Sequence, residues 1–302
     1  MVSVGLMPES LTNNQQSAGM KSEVRVALSF TAFLASVLLS FSLQAQTLRV
    51  AVSANFKPVL ESLAERFEKQ LEEQQEKQHQ KKADKILLST GSTGTLYNQI
   101  INGAPYDLFL SADSARPMKL EQKDRIVAGS RKTYAYGRLV LWDRRASDQK
   151  APITLEQLSG WKERLAIANP GTAPYGVAAQ QTLEHLNLWN KLQGKLVMGN
   201  SVQQTWQFVA SGNVSIGMVA LSQLKQSQLK DSQLKDSQLK QATLIPDSFY
   251  QPIKQEMVVL KESQLATQFA DFILSESSQQ FITEHGYYSF SGRHAIARDA
   301  AP

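Results

Sequence analysis

The sequence contains no cysteine. That excludes disulfides, thiolate metal centres, cysteine nucleophiles and the acylated cysteine that anchors a bacterial lipoprotein. Histidine is scarce: His79, His185, His285 and His294 occur, with no HxxxH or HExxH spacing, so a histidine-based zinc site is not expected. GxxxxGK[ST] and GxSxG are absent, as are a Ser-His-Asp pattern and paired carboxylates in the candidate loops. No catalytic residue and no cofactor is therefore expected, and the chain does not read as an enzyme. Basic residues exceed acidic ones by 32 to 27, giving a formal charge of +5. They are scattered, and no Arg/Lys-rich helix with interleaved aromatics suggests nucleic acid. A weakly positive surface favours anionic ligands. With 302 residues, 42% hydrophobic, the chain can build one or two compact cores.

One long apolar run exists. Lys21 and Arg25 precede VALSFTAFLASVLLSFSLQA, the order of a secretory signal, with a plausible cleavage site after Ala45. The run is Ser/Thr-rich and near the lower length limit for spanning a bilayer, so residues 1–45 are expected to be a cleaved signal peptide. Residues 1–19 are polar, which makes Met20 a second candidate start. The removed stretch carries Glu9, Lys21, Glu23 and Arg25, so cleavage leaves the net charge unchanged.

Past residue 46 the pattern alternates strand and helix. TLRVAVSA, KILLS and DLFLSA read as strands, with helices starting near Lys57, at TLYNQIING and at SARPMKLEQK. YGRLVLW, RLAIANP, KLVMG and SIGMVAL continue the strands, with helices YGVAAQQTLEHLNLW and SVQQTWQFVAS between them. EMVVLK and one long helix, SQLATQFADFILSESSQQFITEHG, close the chain. Such alternation predicts α/β units with largely parallel sheets. Two lobes with a ligand between them would need crossings near Tyr134–Tyr136 and near Tyr250–Lys254. Two segments look decorative. Residues 68–82 (EKQLEEQQEKQHQKK) suggest a solvated helix extension, with Glu73 and Lys77 at i,i+4. Residues 222–240 repeat SQLK every five residues; five residues advance about 140° on a helix, so the leucines make no single stripe. This low-complexity insertion is expected to be helical or mobile.

Four loops follow strands and open helices: VSANF (52–56), STGSTG (89–94), ANPGTAPYG (168–176) and GNSV (199–202). Ligands of open α/β sheets gather at that strand edge, and helix N-termini offer free N–H groups and a partial positive charge. The loops supply neutral donors: the Asn55 amide, the Ser92 and Thr93 hydroxyls, the Tyr175 phenol and backbone N–H groups. They contain no Asp, Glu, Lys, Arg or His. Such a set suits an anion that brings only acceptors, a fully ionised tetrahedral dianion. Any one loop alone is explained by helix capping and turn chemistry; their convergence points to a ligand.

At these loops the sequence resembles the periplasmic molybdate-binding proteins of ABC importers. VSANF, STGSTGTLYNQIINGAPYDLFLSAD, GSRKTYAYGRLVLW, IANPGTAPYGVAAQQTLEHLNL, GNSVQQ, ASGNVSIGMVAL and YQPI carry the likeness across most of residues 47–290. It implies a class II periplasmic-binding-protein fold, two α/β lobes joined by two hinge crossings. Residues 47–133 plus 250–302 would form one lobe, and 134–249 the other. It implies a monomeric periplasmic receptor that holds molybdate or tungstate by hydrogen bonds alone and delivers it to an inner-membrane permease. Another oxyanion, sulfate or phosphate, is the alternative ligand; an exported hydrolase is the remote one. By position the ligand contacts fall on Ala54, Asn55, Thr93, Tyr175 and the backbone N–H of Val202, with Ser92 ranked lower. Ala54 stands where many members have Ser or Thr, so only its backbone N–H could serve. Ala220 stands where a subgroup has Tyr. Asp107 reads as a strand-end residue, Asp113 as the N-cap of helix 114–122, and Trp142, Trp161, Trp189 and Trp206 as packing.

Overall fold

The computed structural model describes residues 1–2, 46–77, 84–147, 149–230 and 240–290. The proposed signal segment, the end of the Gln-rich stretch (78–82) and part of the SQLK repeat (231–239) lie outside the described residues. Among the described residues, no helix is long and apolar enough to cross a membrane. Those from 46–73 and 84–290 belong to one compact unit.

Two five-stranded sheets organise that unit. The strands of the first are β1 (Thr47–Ser53), β2 (Lys85–Gly91), β3 (Leu108–Ser111), β4 (Lys132–Gly137) and β10 (Ile253–Val259). Those of the second are β5 (Leu139–Asp143), β6 (Leu165–Ala168), β7 (Leu196–Gly199), β8 (Ile216–Ala220) and β9 (Ala242–Leu244). Their orders are β2-β1-β3-β10-β4 and β7-β6-β8-β5-β9. In each sheet the first three strands run parallel and the fourth is antiparallel to both neighbours. Only β10 is remote in sequence from its own sheet: the chain leaves the first sheet after β4, builds β5–β9, and returns to the first sheet as β10. The two lobes are therefore cross-stitched.

The helices are α1 (Lys57–Lys77), α2 (Thr93–Ile101), α3 (Ala115–Glu121), α4 (Pro174–His185), α5 (Trp189–Leu192), α6 (Val202–Ala210), α7 (Leu221–Lys230), α8 (Gln264–Leu274) and α9 (Glu276–Glu284). Helix α1 buries Val59, Leu60, Leu63, Ala64 and Phe67, a helical-spacing stripe. Its burial stops at Phe67, and the charged extension continues as helix to Lys77. Phe67 meets Phe269 of α8 with ring centroids 5.1 Å apart. Both belong to a core with Leu48, Val50, Leu108 and Met257, so the C-terminal helix packs on the first sheet. Each fully buried side chain of this size stabilises the fold by about 1.5–3 kcal/mol. A second core, built on Leu141, Leu165, Ile167, Ala179, Leu183 and Met218, lies on the second sheet. Trp142 stacks on Trp206 at 6.0 Å, while Trp161 and Trp189 pack on the second core, as packing residues should.

Three expectations need correction. YGRLVLW is two strands in different sheets, broken at Arg138. Strand-forming residues flank Gly137 and Arg138 on both sides, so the sequence placed the crossing only nearby, at Tyr134–Tyr136. The long terminal helix is also two helices. Ser275, extended at φ −60° and ψ 152°, ends α8 and caps α9 by accepting the Ser278 N–H. Helix α3 starts one residue later than expected, with Ser114 at the cap position, yet the Asp113 carboxylate still accepts the Arg116 N–H at 3.0 Å. Asp107 acts at a strand end as expected: its carboxylate accepts the Arg49 N–H at 2.8 Å.

Candidate functional site

The four loops singled out in the sequence come together between the two sheets. Helix α2 begins after β2, and Ser92 caps it by accepting the Thr95 N–H at 3.2 Å. Ser201 caps α6 after β7 by accepting the Gln204 N–H at 3.3 Å. Helix α4 follows β6 with Pro174 in its first turn, where a missing N–H costs nothing. The α2 and α4 loops touch directly: the Gly94 N–H donates to the Thr172 carbonyl at 2.9 Å. The Thr172 hydroxyl then donates to the Asn200 carbonyl at 3.2 Å, tying in the α6 loop. Ala112, just past β3, lies in one buried cluster with Tyr175 and Val202 of the second lobe. The lobes are thus in contact around the loops.

The Thr93 hydroxyl is fully buried and part of a directed set of bonds. It lies 2.6 Å from the Ser53 hydroxyl, and the Ala112 N–H donates to both oxygens, at 3.0 and 3.1 Å. One hydroxyl proton joins the pair, and the other remains for an outside acceptor. Ser53 was not among the expected site residues; a Ser at the end of a buried strand carries no signal of its own.

Asn55 is placed at the loop but not as a side-chain donor. Its Nδ2 donates to Gln255 Oε1 at 3.0 Å and to the Tyr287 phenol oxygen at 3.2 Å. Both amide hydrogens are spent inside the protein, which corrects the expectation of a free Asn55 amide. The Ala54 N–H is also committed, to the Gly91 carbonyl at 2.9 Å. This corrects the expectation that Ala54 offers it. Among the described residues, the N–H groups of Asn55, Thr93, Tyr175 and Val202 meet no protein acceptor. For the last three this is the ordinary condition of a first helical turn. Ser92 is occupied by its cap bond and a 2.8 Å contact with the Thr95 hydroxyl.

The Tyr175 phenol is buried, and Gln255 Nε2 donates to its oxygen at 3.3 Å. Burial, with the neighbouring Tyr287, Tyr134 and Tyr250 adding to it, pushes this phenol well above the ordinary tyrosine range. It is a protonated donor at neutral pH. Several charged side chains of the first lobe pair with each other: Arg116 bonds the Asp113 carboxylate, and Arg131 and Lys254 hold the buried Glu256 at 2.9 and 2.8 Å. Among the described residues, no group of His, Asp and Glu could hold a metal ion. The arrangement can hold an acceptor-rich solute by neutral donors from both lobes.

Residues 48–288 match the model of the bacterial extracellular solute-binding proteins. The chain is 39% identical over 260 residues to the molybdate-binding protein ModA of Azotobacter vinelandii, covering 84% of this chain and 94% of that protein. It is 33% identical over 243 residues to ModA of Rhodobacter capsulatus, covering 79% and 91%. Among solved structures, the periplasmic molybdate-binding protein of Azotobacter vinelandii superposes with a TM-score of 0.66 at 35% identity, over 80% of this chain and 98% of that one. With the cross-stitched lobes and the loops between them, these matches place the chain in the family of bacterial extracellular solute-binding proteins.

Proposed function

We propose that the protein is the extracytoplasmic receptor of an ABC importer for molybdate or tungstate. The observation that carries this reading is the charge-free donor set between the lobes. The Thr93 hydroxyl, the Tyr175 phenol and the N–H groups of Asn55 and Val202 converge from four helix-opening loops, with no carboxylate among them. A fully ionised tetrahedral dianion brings only acceptors and suits such a set. Each hydrogen bond to a charged group contributes roughly 1.5–3 kcal/mol, and each helix end about 0.3–1 kcal/mol more. Several together offset dehydration of the ion. Ala54 shapes the wall, and Ser92 supports α2 as its cap. The names of the two relatives and of the solved neighbour support molybdate as the ligand.

Closure couples binding to transport. Contacts from both lobes to one ion shift the hinge equilibrium toward the closed form, and that form docks on the permease. Arg138, between β4 and β5, is one crossing; the stretch between β9 and β10 is the other. The protein works in the periplasm as a monomer, after removal of residues 1–45. The reading is tested by thermal unfolding with molybdate, tungstate, sulfate and phosphate in turn. Ligand at about 1,000 times its dissociation constant adds roughly 4 kcal/mol, which raises the midpoint of a chain this size by roughly 8–16 °C. A shift with sulfate or phosphate and none with molybdate or tungstate overturns the choice of ion.

A further inference from the structure

We infer that Gln255, on the hinge strand β10, is a positioning residue that turns the Tyr175 phenol proton toward the bound anion. The inference rests on the receptor reading above and deepens it.

Hydrogen-bond direction is fixed step by step from Tyr287 to Tyr175. The Tyr287 O–H donates to the Asn55 backbone carbonyl at 2.8 Å, so its oxygen must accept from Asn55 Nδ2. That fixes the orientation of the Asn55 amide, and its second hydrogen goes to Gln255 Oε1. Tyr134, 0% exposed, places its hydroxyl 2.9 Å from Gln255 Oε1 and 3.1 Å from the Ser111 carbonyl, two acceptors that share its one proton. Asn55 Nδ2 has only hydrogens to give, so the Gln255 atom it meets is the amide oxygen and the other end is the NH2 group. This NH2 faces the Tyr175 phenol oxygen at 3.3 Å. With its oxygen accepting from Gln255, Tyr175 has its own proton left to give.

The backbone is built for this. Along the β10–β4 ladder, Gln255 pairs with Ala135 and Glu256 with Thr133, which leaves Tyr134 as the extra residue of a bulge. Bulges re-aim side chains, and here the bulge brings the Tyr134 hydroxyl to Gln255 Oε1. The strand just before the Arg138 crossing closes on the same point. A Cβ placed on Gly137 would sit 2.3 Å from the Tyr175 phenol oxygen and 2.8 Å from Gln255 Nε2, so only glycine lets the three meet. Gln255 belongs to the first sheet and Tyr175 to a helix of the second, so their bond exists only while the lobes are together.

A double-mutant cycle read by molybdate calorimetry tests this. Gln255→Leu and Tyr175→Phe should each weaken binding about tenfold or more, the order expected when a hydrogen bond to a charged group is lost. The double variant should bind within about threefold of Tyr175→Phe, because Gln255 acts through the phenol. Independent, multiplying losses overturn the positioning role, even if Gln255→Leu also lowers the unfolding midpoint. Gln255→Glu supplies a readout that mere structure would not move. An ionised carboxylate only accepts, so it draws the phenol proton away from the anion; a protonated one can donate again. Relative to the unaltered protein, its affinity should recover as pH falls from about 8.5 to 6, since burial raises a carboxyl into that range. A pH-independent ratio contradicts the proposal. Unaltered protein that binds neither molybdate nor tungstate overturns the receptor reading itself.

Discussion

Gly94→Ala separates closure from folding. Gly94 lies in the first turn of α2, and its N–H donates across the cleft to the Thr172 carbonyl at 2.9 Å. A Cβ at this position would lie 3.0 Å from that carbonyl oxygen and 3.2 Å from both Thr172 Cα and Arg116 Nη2. The arginine tip can swing aside. The Thr172 backbone belongs to the other lobe and is held by the Asn169 carbonyl at 3.1 Å, so relief comes from the hinge. Losing one such hydrogen bond costs about 0.5–1.5 kcal/mol, which weakens ligand binding about 2- to 12-fold. Gly94 has ordinary helical backbone, and alanine is up to about 1 kcal/mol better than glycine inside a helix. The ligand-free protein should therefore unfold at the same temperature or higher while its affinity for molybdate falls. Calorimetry and ligand-free thermal unfolding on the same preparation read the two effects. Unchanged affinity, or equal losses with and without ligand, would refute the claim that this contact closes the lobes.

Other perturbations probe separate parts of the account. Thr93→Val removes the hydroxyl bonded to Ser53 and should weaken molybdate binding about 10- to 150-fold, from roughly 1.5–3 kcal/mol; Thr93→Ser should restore most of it in the same titration. Gly137→Ala drives a methyl into Tyr175 and Gln255. It should lower both affinity and midpoint, since overpacking costs about 1–3 kcal/mol; unfolding with and without ligand measures it. Acid should loosen the C-terminal packing. Burial, aided by Arg66 and Lys225, holds the His285 imidazole below its ordinary value, against the bonded Phe281 carbonyl and Glu284. The fold favours the neutral ring, so stability is full above about pH 6.5 and declines as pH falls below it. His285→Gln should flatten that limb of a midpoint-against-pH curve.

What could be read from the chain divides along physical lines. Helix-opening loops after VAVS, LLST, LAIA and LVMG were legible because strand period, small residues and capping chemistry are all local. Arg138 and Ser275 were not, because strand-forming residues flank the one on both sides and the other sits within a helical pattern. The direction of the hydrogen bonds was hidden for a different reason. Asn55 loses its amide hydrogens to Gln255 and Tyr287, 200 and 232 residues away. Ser53, Tyr134 and Gln255 carry no motif of their own, and only the folded sheet brings them to Thr93 and Tyr175. Residue type suggested which groups stand at the site; tertiary structure decides which of their protons remain free.

The central claim is that a dianion is held between the lobes by neutral donors. A crystal structure of the tungstate-loaded protein tests it most directly, because tungsten can be located by its anomalous scattering. The account predicts one strong peak with oxygens in hydrogen-bond reach of the Thr93 hydroxyl, the Tyr175 phenol and the Val202 N–H, and no charged side chain in contact. A peak elsewhere, or an ion held by lysine or arginine, would contradict it.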